Sequence, residues 1–262
     1  MTDNNTAANV LGTIGTVLWC IQLSPQIYYL WKHKDATGFP PTFMFLWALS
    51  GIPFSIYFVM SDSYIPMQVQ PCMFECLCAI AWIQSMYYPP YSYPKKRIIL
   101  FTVLFFSCAI GMQVGFGVWL KRVYANGTHW PSLIFGIIAS IILAAGLVPP
   151  YIELSKRQGR VVGINFVFLI MDCSGAVFSM ASNLVGDIDI MGMILYAIII
   201  VMEIGIMTSQ IIWLLRFRVI RKKKDIDDDD DDDEDDDGEA GSYEKGKAKL
   251  EADDEEKQTS NL

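Results

Sequence analysis

The sequence is poor in the residues and motifs from which most catalytic sites are built. It contains 2 histidines in 262 residues, and it has no glycine-rich phosphate loop, no nucleophile elbow and no cluster of histidine with cysteine. We therefore predict that the protein is not an enzyme and that it holds neither a metal ion nor a cofactor. We also predict no nucleic-acid partner.

Charged residues are nearly absent from seven long apolar runs in the first 224 residues. Each run is close to the ~20 residues that cross a hydrocarbon core as a helix. No basic segment precedes the first run, so we do not expect a cleaved signal peptide. The runs predict an all-α integral membrane protein with seven transmembrane helices, at residues 8–31, 40–60, 66–88, 98–120, 132–153, 163–184 and 190–215.

The last part of the chain has almost no apolar residues and very few bases. From Asp225 to the C-terminus there are 19 acidic and 4 basic residues, whereas the preceding part has 9 acidic and 16 basic residues. Such a block of like charge cannot bury enough surface to offset the entropy of ordering. It predicts a disordered acidic cytoplasmic tail, and binding of a basic partner or a divalent cation stays open.

Lysine and arginine are concentrated in alternate loops. The loops after the first, third and fifth runs contain KHK, PKKR and SKRQGR, and the last run continues into RFRVIRKKK. Because basic loops are retained in the cytosol, we predict a lumenal or extracellular N-terminus and a cytoplasmic C-terminus. Asn126 begins an Asn-Gly-Thr triplet on the opposite side and is a candidate glycosylation site.

The chain repeats itself at an offset of 124 residues. Three spans in each half, with one between them, give two parallel three-helix repeats joined by an inverting fourth helix, as in small transporters. We predict a first repeat at 1–97, a linker helix and loop at 98–131, a second repeat at 132–224 and the tail at 225–262. The first-half members of the matched pairs are Gly12, Ile14, Leu23, Pro25, Leu30, Lys32, Ser50, Gly51, Phe54 and Ser55.

Two motifs in these halves resemble the PQ-loop repeat family, which includes the lysosomal cystine transporter and the lysosomal and vacuolar basic amino acid transporters. The first is LSPQIYYLWKHKDATGF, with its Pro-Gln pair, basic turn and TGF entry to the next helix. The second contains VPPYIEL, where Pro150 stands in place of the family's glutamine, and LIMDCSGAVFS, which is similar to a segment of the cystine transporter. The resemblance covers residues 8–216. It implies a seven-helix membrane transporter in which the aspartate of the second motif, Asp172, is linked to proton movement.

The prolines occupy matching places near the predicted cytoplasmic ends of the first and fifth spans. A proline inside a helix removes a backbone hydrogen bond and kinks or hinges the helix. In lipid, such a break is tolerated where the helix faces protein or a water-filled cavity. We therefore predict paired hinges at Pro25 and Gln26 and at Pro149 and Pro150; the alternative is that the kinks only shape packing.

Acidic residues within the spans are the other costly feature, because an unpaired aspartate at the bilayer centre costs on the order of 3 kcal/mol. Asp172, midway along the sixth span, is the candidate for the coupling proton, and Glu203 in the seventh is the reserve candidate. The alternative for Asp172 is a buried hydrogen bond. The amides expected to line a substrate cavity, or to hydrogen-bond between helices, are Gln84, Asn165, Asn183 and Gln210. Glu75 is a further cavity candidate, and its alternative is to reach the interface by snorkelling.

These features predict proton-coupled export of an amino acid, cystine or a basic amino acid, from the acidic lumen of a vacuole or lysosome to the cytosol. The partners would be membrane lipid, the amino acid and protons, and the sequence indicates no oligomeric state. Three alternatives stay open: a seven-helix receptor, a cargo or lipid-linked sugar factor of the same fold, and a facilitative sugar carrier. A receptor would bind its ligand without moving it, and a sugar carrier would need no pH gradient.

Overall fold

A computed structural model describes residues 2–60, 65–125, 130–186, 190 and 192–217. All regular secondary structure in these ranges is helical, which agrees with the predicted all-α class. The helices are α1 Thr2–Ile21, α2 Leu23–His33, α3 Pro41–Met60, α4 Ile65–Tyr87, α5 Lys95–Ala125, α6 Trp130–Gly146, α7 Val148–Lys156, α8 Phe166–Val185 and α9 Gly192–Phe217.

Two pairs of helices are separated by a single residue each. Gln22 stands between α1 and α2, and Leu147 stands between α6 and α7. Proline has no backbone N–H, so the carbonyl four residues before it loses its helical partner. That carbonyl belongs to the last residue of α1 for Pro25 and to the last residue of α6 for Pro150. The backbone N–H groups missing at Pro25 and Pro150 therefore account for the positions of both breaks.

When each broken pair is counted as one rod, the described helices form seven rods in the order predicted from the apolar runs. Six of them are long and apolar enough to cross a membrane. The other is α4, which has the length of a span but carries Gln70, Glu75 and Gln84. A membrane crossing by α4 stays a prediction.

Small residues allow the helices to approach closely. The most extensive packing joins α1 to α8, α3 to α4 and α3 to α6. A Cβ at Gly15 of α1 would lie 2.5 Å from Ser179 Oγ of α8, and a Cβ at Gly175 of α8 would lie 2.6 Å from the indole of Trp19. Close backbone approach of this kind is the usual basis of helix association in lipid. The helices α1 and α8, which belong to different predicted repeats, are therefore packed directly against each other.

The helix α5 contacts the rest through one face only. Gln113 Nε2 donates to Glu75 Oε2 of α4 at 2.6 Å, and Phe105 packs on Trp82 with ring centroids 5.6 Å apart. By contrast, a Cβ added at Gly111 or Gly115 would meet nothing within 4 Å.

The packed bundle ends at Ile211, and residues 212–217 complete α9. The candidate glycosylation site Asn126 and the acidic tail at residues 225–262 lie outside the described residues.

Candidate functional site

A cavity of about 90 Å³ lies inside the bundle, between residues of α1, α3, α4, α6, α8 and α9. It reaches from Asp172 and Gln22, midway along their rods, to Phe58 and Asn183 near the ends of α3 and α8. We call this half of the bundle the cavity end. The volume holds several water molecules, so polar side chains can remain solvated there.

The cavity wall combines aromatic rings with neutral polar groups. Its aromatic residues are Trp19, Trp47, Phe54, Phe58, Phe74 and Tyr196. Its polar residues are Thr16, Gln22, Gln70, Asp172, Ser179, Ser182 and Asn183. Among these described lining residues, Asp172 is the only aspartate, glutamate, lysine or arginine. The cavity therefore carries no base to attract an anion.

Asp172 is 3% exposed on the inner face of α8. Its carboxyl group adjoins the side chains of Trp19, Gln22 and Glu203. The indole of Trp19 also donates through Nε1 to the backbone oxygen of Asp172 at 3.2 Å. This contact ties α1 to α8 beside the carboxyl.

Glu203 of α9 lies behind Asp172 and is fully buried. Within the described chain, neither of its oxygens accepts a hydrogen bond, and neither acid has a lysine, arginine or histidine partner. Two adjacent buried carboxyls without a cation disfavour a second negative charge. The pair is therefore suited to hold one proton between its carboxyl groups.

The opposite half of the bundle, which we call the loop end, contains residues 34–40, 88–94 and 157–165. Gln26 is fully buried there. Its Nε2 donates to Gly163 O at 2.9 Å, and its Oε1 accepts from Asn165 N at 2.7 Å. Asn165 Nδ2 in turn donates to Pro25 O at 3.3 Å. The Pro-Gln pair thus binds the start of α8 through three hydrogen bonds.

The loops themselves are in direct backbone contact. Gly38 has φ +80° and Gly163 has φ +78°, and a Cβ on either would collide with the backbone of the other loop. Ala36 N donates to Pro89 O at 2.7 Å, which joins a third loop to the contact. Glycine at both positions therefore permits the left-handed backbone and the close approach. Together with Gln26, these contacts close the loop end.

The residues predicted for hinges lie at the two helix breaks. Pro25 and Gln26 are in the first turn of α2, and Pro149 and Pro150 are in the first turn of α7. The two acids predicted for proton coupling are neighbours beside the cavity. The two acids are therefore brought together, and the hinge residues lie at the two breaks. The roles of all these residues stay predictions.

Asn183 lines the cavity, but the other four residues predicted to line a substrate cavity make other contacts. Gln84 Nε2 donates to Ile27 O at 3.3 Å, and Gln210 Oε1 accepts from Val161 N at 2.8 Å. Asn165 caps α8 by accepting from Val167 N at 2.8 Å, and Glu75 is bonded to Gln113. None of the four is among the lining residues of the cavity described above. Their contacts are of the interhelical or capping kind.

Two polar residues of the cavity wall were not predicted from the sequence. Gln22 and Trp47 are each 1% exposed and line the cavity. Gln22 could have been found, because a glutamine three residues before a helix-breaking proline is a polar group at a break in lipid. Trp47 gave no signal, since a tryptophan inside an apolar run is read as packing.

Comparison with known proteins gives a family and two relatives. Residues 7–67 match the PQ loop repeat. The chain is 53% identical, over 82% of its length and 70% of the relative's, to a protein of Saccharomyces cerevisiae named as an uncharacterized membrane protein. It is 29% identical, over 84% of its length and 76% of the relative's, to an uncharacterized protein of Schizosaccharomyces pombe.

Proposed function

Because the chain belongs to the PQ-loop repeat family and is an integral membrane protein, we propose that it is a proton-coupled transporter of an amino acid. The cargo would be cystine or a basic amino acid, moved from an acidic lumen to the cytosol across a vacuolar or lysosomal membrane. No catalytic step is part of this proposal.

The observation that carries the proposal is the cavity with Asp172 in its wall and Glu203 directly behind it. A proton-coupled carrier needs a solute cavity and an acid that gains and loses a proton as access changes. Here both occur together, midway along the rods. A buried acid that served only as a hydrogen-bonding partner would not need a second unpaired acid beside it.

Two hinges supply the change of access in this proposal. The broken rods α1–α2 and α6–α7 occupy corresponding places in the two predicted halves. The packing of α1 on α8 also corresponds to the packing of α6 on α3. Both correspondences support two parallel three-helix repeats joined by α5. Bending at Pro25, Gln26, Pro149 and Pro150 would then open the loop end.

The predicted orientation places the cavity end toward the lumen and the closed loop end toward the cytosol. The described state would therefore be one that loads from the lumen. Loading of a proton would occur at the Asp172–Glu203 pair while the cavity faces the acidic compartment. Release would follow when the loops at residues 34–40 and 157–165 separate.

The charge of the cavity distinguishes between the candidate cargoes. Asp172 is the one acid among the described lining residues, and no lysine or arginine balances it. Aromatic faces such as those of Trp19 and Tyr196 also attract cations. A basic amino acid is therefore favoured over cystine, and an acidic amino acid is disfavoured.

The test is transport by the purified protein in liposomes with an acidic interior. We expect efflux of radiolabelled L-arginine or L-cystine that depends on the pH gradient and is accompanied by a proton current. Asp172→Asn keeps the shape of the side chain and should abolish the current, even if some exchange of unlabelled for labelled solute persists. Glu153→Gln is the matched control, because Glu153 pairs with Lys156 at the loop end, 2.9 Å away.

Three results would contradict the proposal in different ways. A normal current in Asp172→Asn, with none in Glu203→Gln, would move the coupling role to Glu203. Glucose uptake that is equally fast without a pH gradient would indicate a facilitative sugar carrier. Binding of a solute without its movement would indicate a receptor.

A further inference from the structure

Two polar atoms in the cavity wall lack hydrogen-bond partners among the described residues. They are the donor Nε1 of Trp47 on α3 and the acceptor Oε1 of Gln22 between α1 and α2. Buried polar atoms are nearly always paired, and one left unpaired destabilises the folded state. Both atoms are buried in the described state. A donor and an acceptor without partners, on two residues that line one cavity, are the arrangement expected of a ligand site.

The indole of Trp47 is held rigidly in this position. Its ring packs against Phe43, Phe74 and Phe168, with centroids 4.8, 5.6 and 5.8 Å away. Gly146, the last residue of α6, is required on the remaining side, because a Cβ there would collide with Cδ1 and Nε1 of the indole. The N–H group therefore cannot turn away to find another acceptor.

Gln22 is placed beside the acid of the site. Its side chain adjoins the Asp172 carboxyl, so the amide and the carboxyl are neighbours beside the cavity. It is also the residue at the α1–α2 break, while Trp47 rests on the residue before the α6–α7 break. Bending at either break would move one of the two unpaired atoms, Gln22 Oε1 or Trp47 Nε1.

We propose that Gln22 and Trp47 determine specificity for a zwitterionic head group. The Asp172 carboxyl and Gln22 Oε1 accept from the ammonium group, and Trp47 Nε1 donates to the carboxylate. This assignment rests on the proposed function, since it presumes an amino acid as the solute. It adds the residues that contact the head group.

The stability of the empty protein is a first measurement. Trp47→Phe removes the unpaired donor together with part of the indole ring, and the lost volume alone lowers stability. Trp82→Phe loses the same volume at another buried tryptophan, so we expect Trp47→Phe to lower the apparent unfolding temperature without solute no more than Trp82→Phe does. A fall several degrees larger than that of Trp82→Phe would mean that the N–H group is already bonded in the empty protein, and it would overturn the inference.

Solute binding to the detergent-solubilised protein is the second measurement, with L-arginine and agmatine as probes. Agmatine is arginine without its carboxylate. We expect Trp47→Phe to weaken L-arginine binding about tenfold or more, the effect of losing one hydrogen bond to a charged group. Agmatine binding should change less than twofold. Gln22→Leu should weaken both probes, because both retain a cationic nitrogen.

Matched controls lie outside the cavity. Trp82→Phe makes the same chemical change at a buried tryptophan that packs on Phe45 and Phe105. Gln84→Leu removes a glutamine that also has an unpaired Oε1. Both controls should leave the affinity for L-arginine unchanged.

The failures of the two proposals are distinguishable. If the unaltered protein binds L-arginine and Trp47→Phe binds it equally well, the assignment of the head group is overturned while amino acid transport stands. If Trp47→Phe weakens both probes equally, Trp47 does not read the carboxylate and the inference also fails. If the unaltered protein binds neither L-arginine nor L-cystine, the proposed function fails and the inference fails with it.

Discussion

At the scale of single residues, the loop end depends on atoms that have no alternative partner. Gln26 is fully buried, and both ends of its amide are used, one by Gly163 and the other by Asn165. Each such bond contributes ~1 kcal/mol net, but an abandoned buried group costs about 1–3 kcal/mol. The glutamine of the Pro-Gln pair is therefore a structural link between α2 and α8 in the described state.

The glycine contact at the loop end gives a stability prediction. Gly163→Ala places a Cβ against Thr37 O and forces alanine into φ +78°. We expect the free energy of unfolding to fall by about 1–3 kcal/mol, measured by thermal or denaturant unfolding in detergent. Gly117→Ala is the control, because a Cβ there meets nothing within 4 Å and alanine favours a helix by up to about 1 kcal/mol. Equal stability of the two variants would contradict the close contact of the loops.

At the scale of secondary-structure elements, the two broken rods determine how the bundle can move. After each break in the chain comes a short helix, α2 or α7. Its first turn contains proline and therefore has fewer backbone N–H groups that need an acceptor. Above each break lies a longer helix that packs tightly, α1 on α8 and α6 on α3. A change of angle at Gln22 or Leu147 can therefore move the loop end while the packed interfaces of the cavity end are preserved.

The hinges give a prediction for turnover. Pro25→Ala, or the joint replacement of Pro149 and Pro150 by alanine, restores the backbone donors at one break and should straighten one rod, which traps one state. We expect solute affinity to stay within a few-fold while turnover in liposomes falls strongly. Pro53→Ala is the comparison, because Pro53 lies inside α3 and its counterpart in the other half is Val177. Near-normal turnover in the variant with Pro25, Pro149 and Pro150 all replaced would leave only a packing role for these prolines.

The helices could be predicted from the sequence because length and apolarity decide membrane helices almost alone. The break positions could also have been predicted, since proline at position 25 lacks the N–H that would donate to the carbonyl of Ile21 in a continuous helix. Asn165 carried a signal too, because it directly precedes an apolar run and is a favoured cap residue. The partners of Gln26 could not be predicted, because Gly163 and Asn165 lie in the other half of the sequence. The open donor of Trp47 was beyond prediction, since an absent partner depends on every neighbouring helix.

At the scale of the whole molecule, the basic residues that flank the spans and the cavity lie toward opposite ends of the bundle. The bases flanking the spans lie mainly at the loop end, for example Lys34, Lys95 and Lys156. The cavity lies toward the other end. A transporter that moves its solute from a lumen to the cytosol needs this combination if the loop end faces the cytosol.

Topology can be tested with epitope tags. Tags at the C-terminus and within residues 89–96 should be accessible only from the cytosol, because the neighbouring loops are basic. A tag after Ser61 should be accessible only from the opposite side. Protease protection in sealed vesicles measures this, and the C-terminal tag doubles as a control for vesicle orientation. Cytosolic access to the tag after Ser61 would reverse the polarity and the direction of transport.

The replacement of glutamine by Pro150 has a consequence for the order of events during opening. By the offset of 124 residues, Gln26 corresponds to Pro150 and Asn165 corresponds to Pro41. Pro150 lies beside Gly38, but neither it nor Pro41 has an N–H to donate, so the hydrogen bonds that Gln26 makes on one side have no counterpart on the other. The two sides of the loop end therefore resist separation to different degrees, because the hydrogen bonds of Gln26 hold one side. Separation should begin at the Pro150 side and be limited in rate by release of Gln26, so that two halves built on one plan open one after the other.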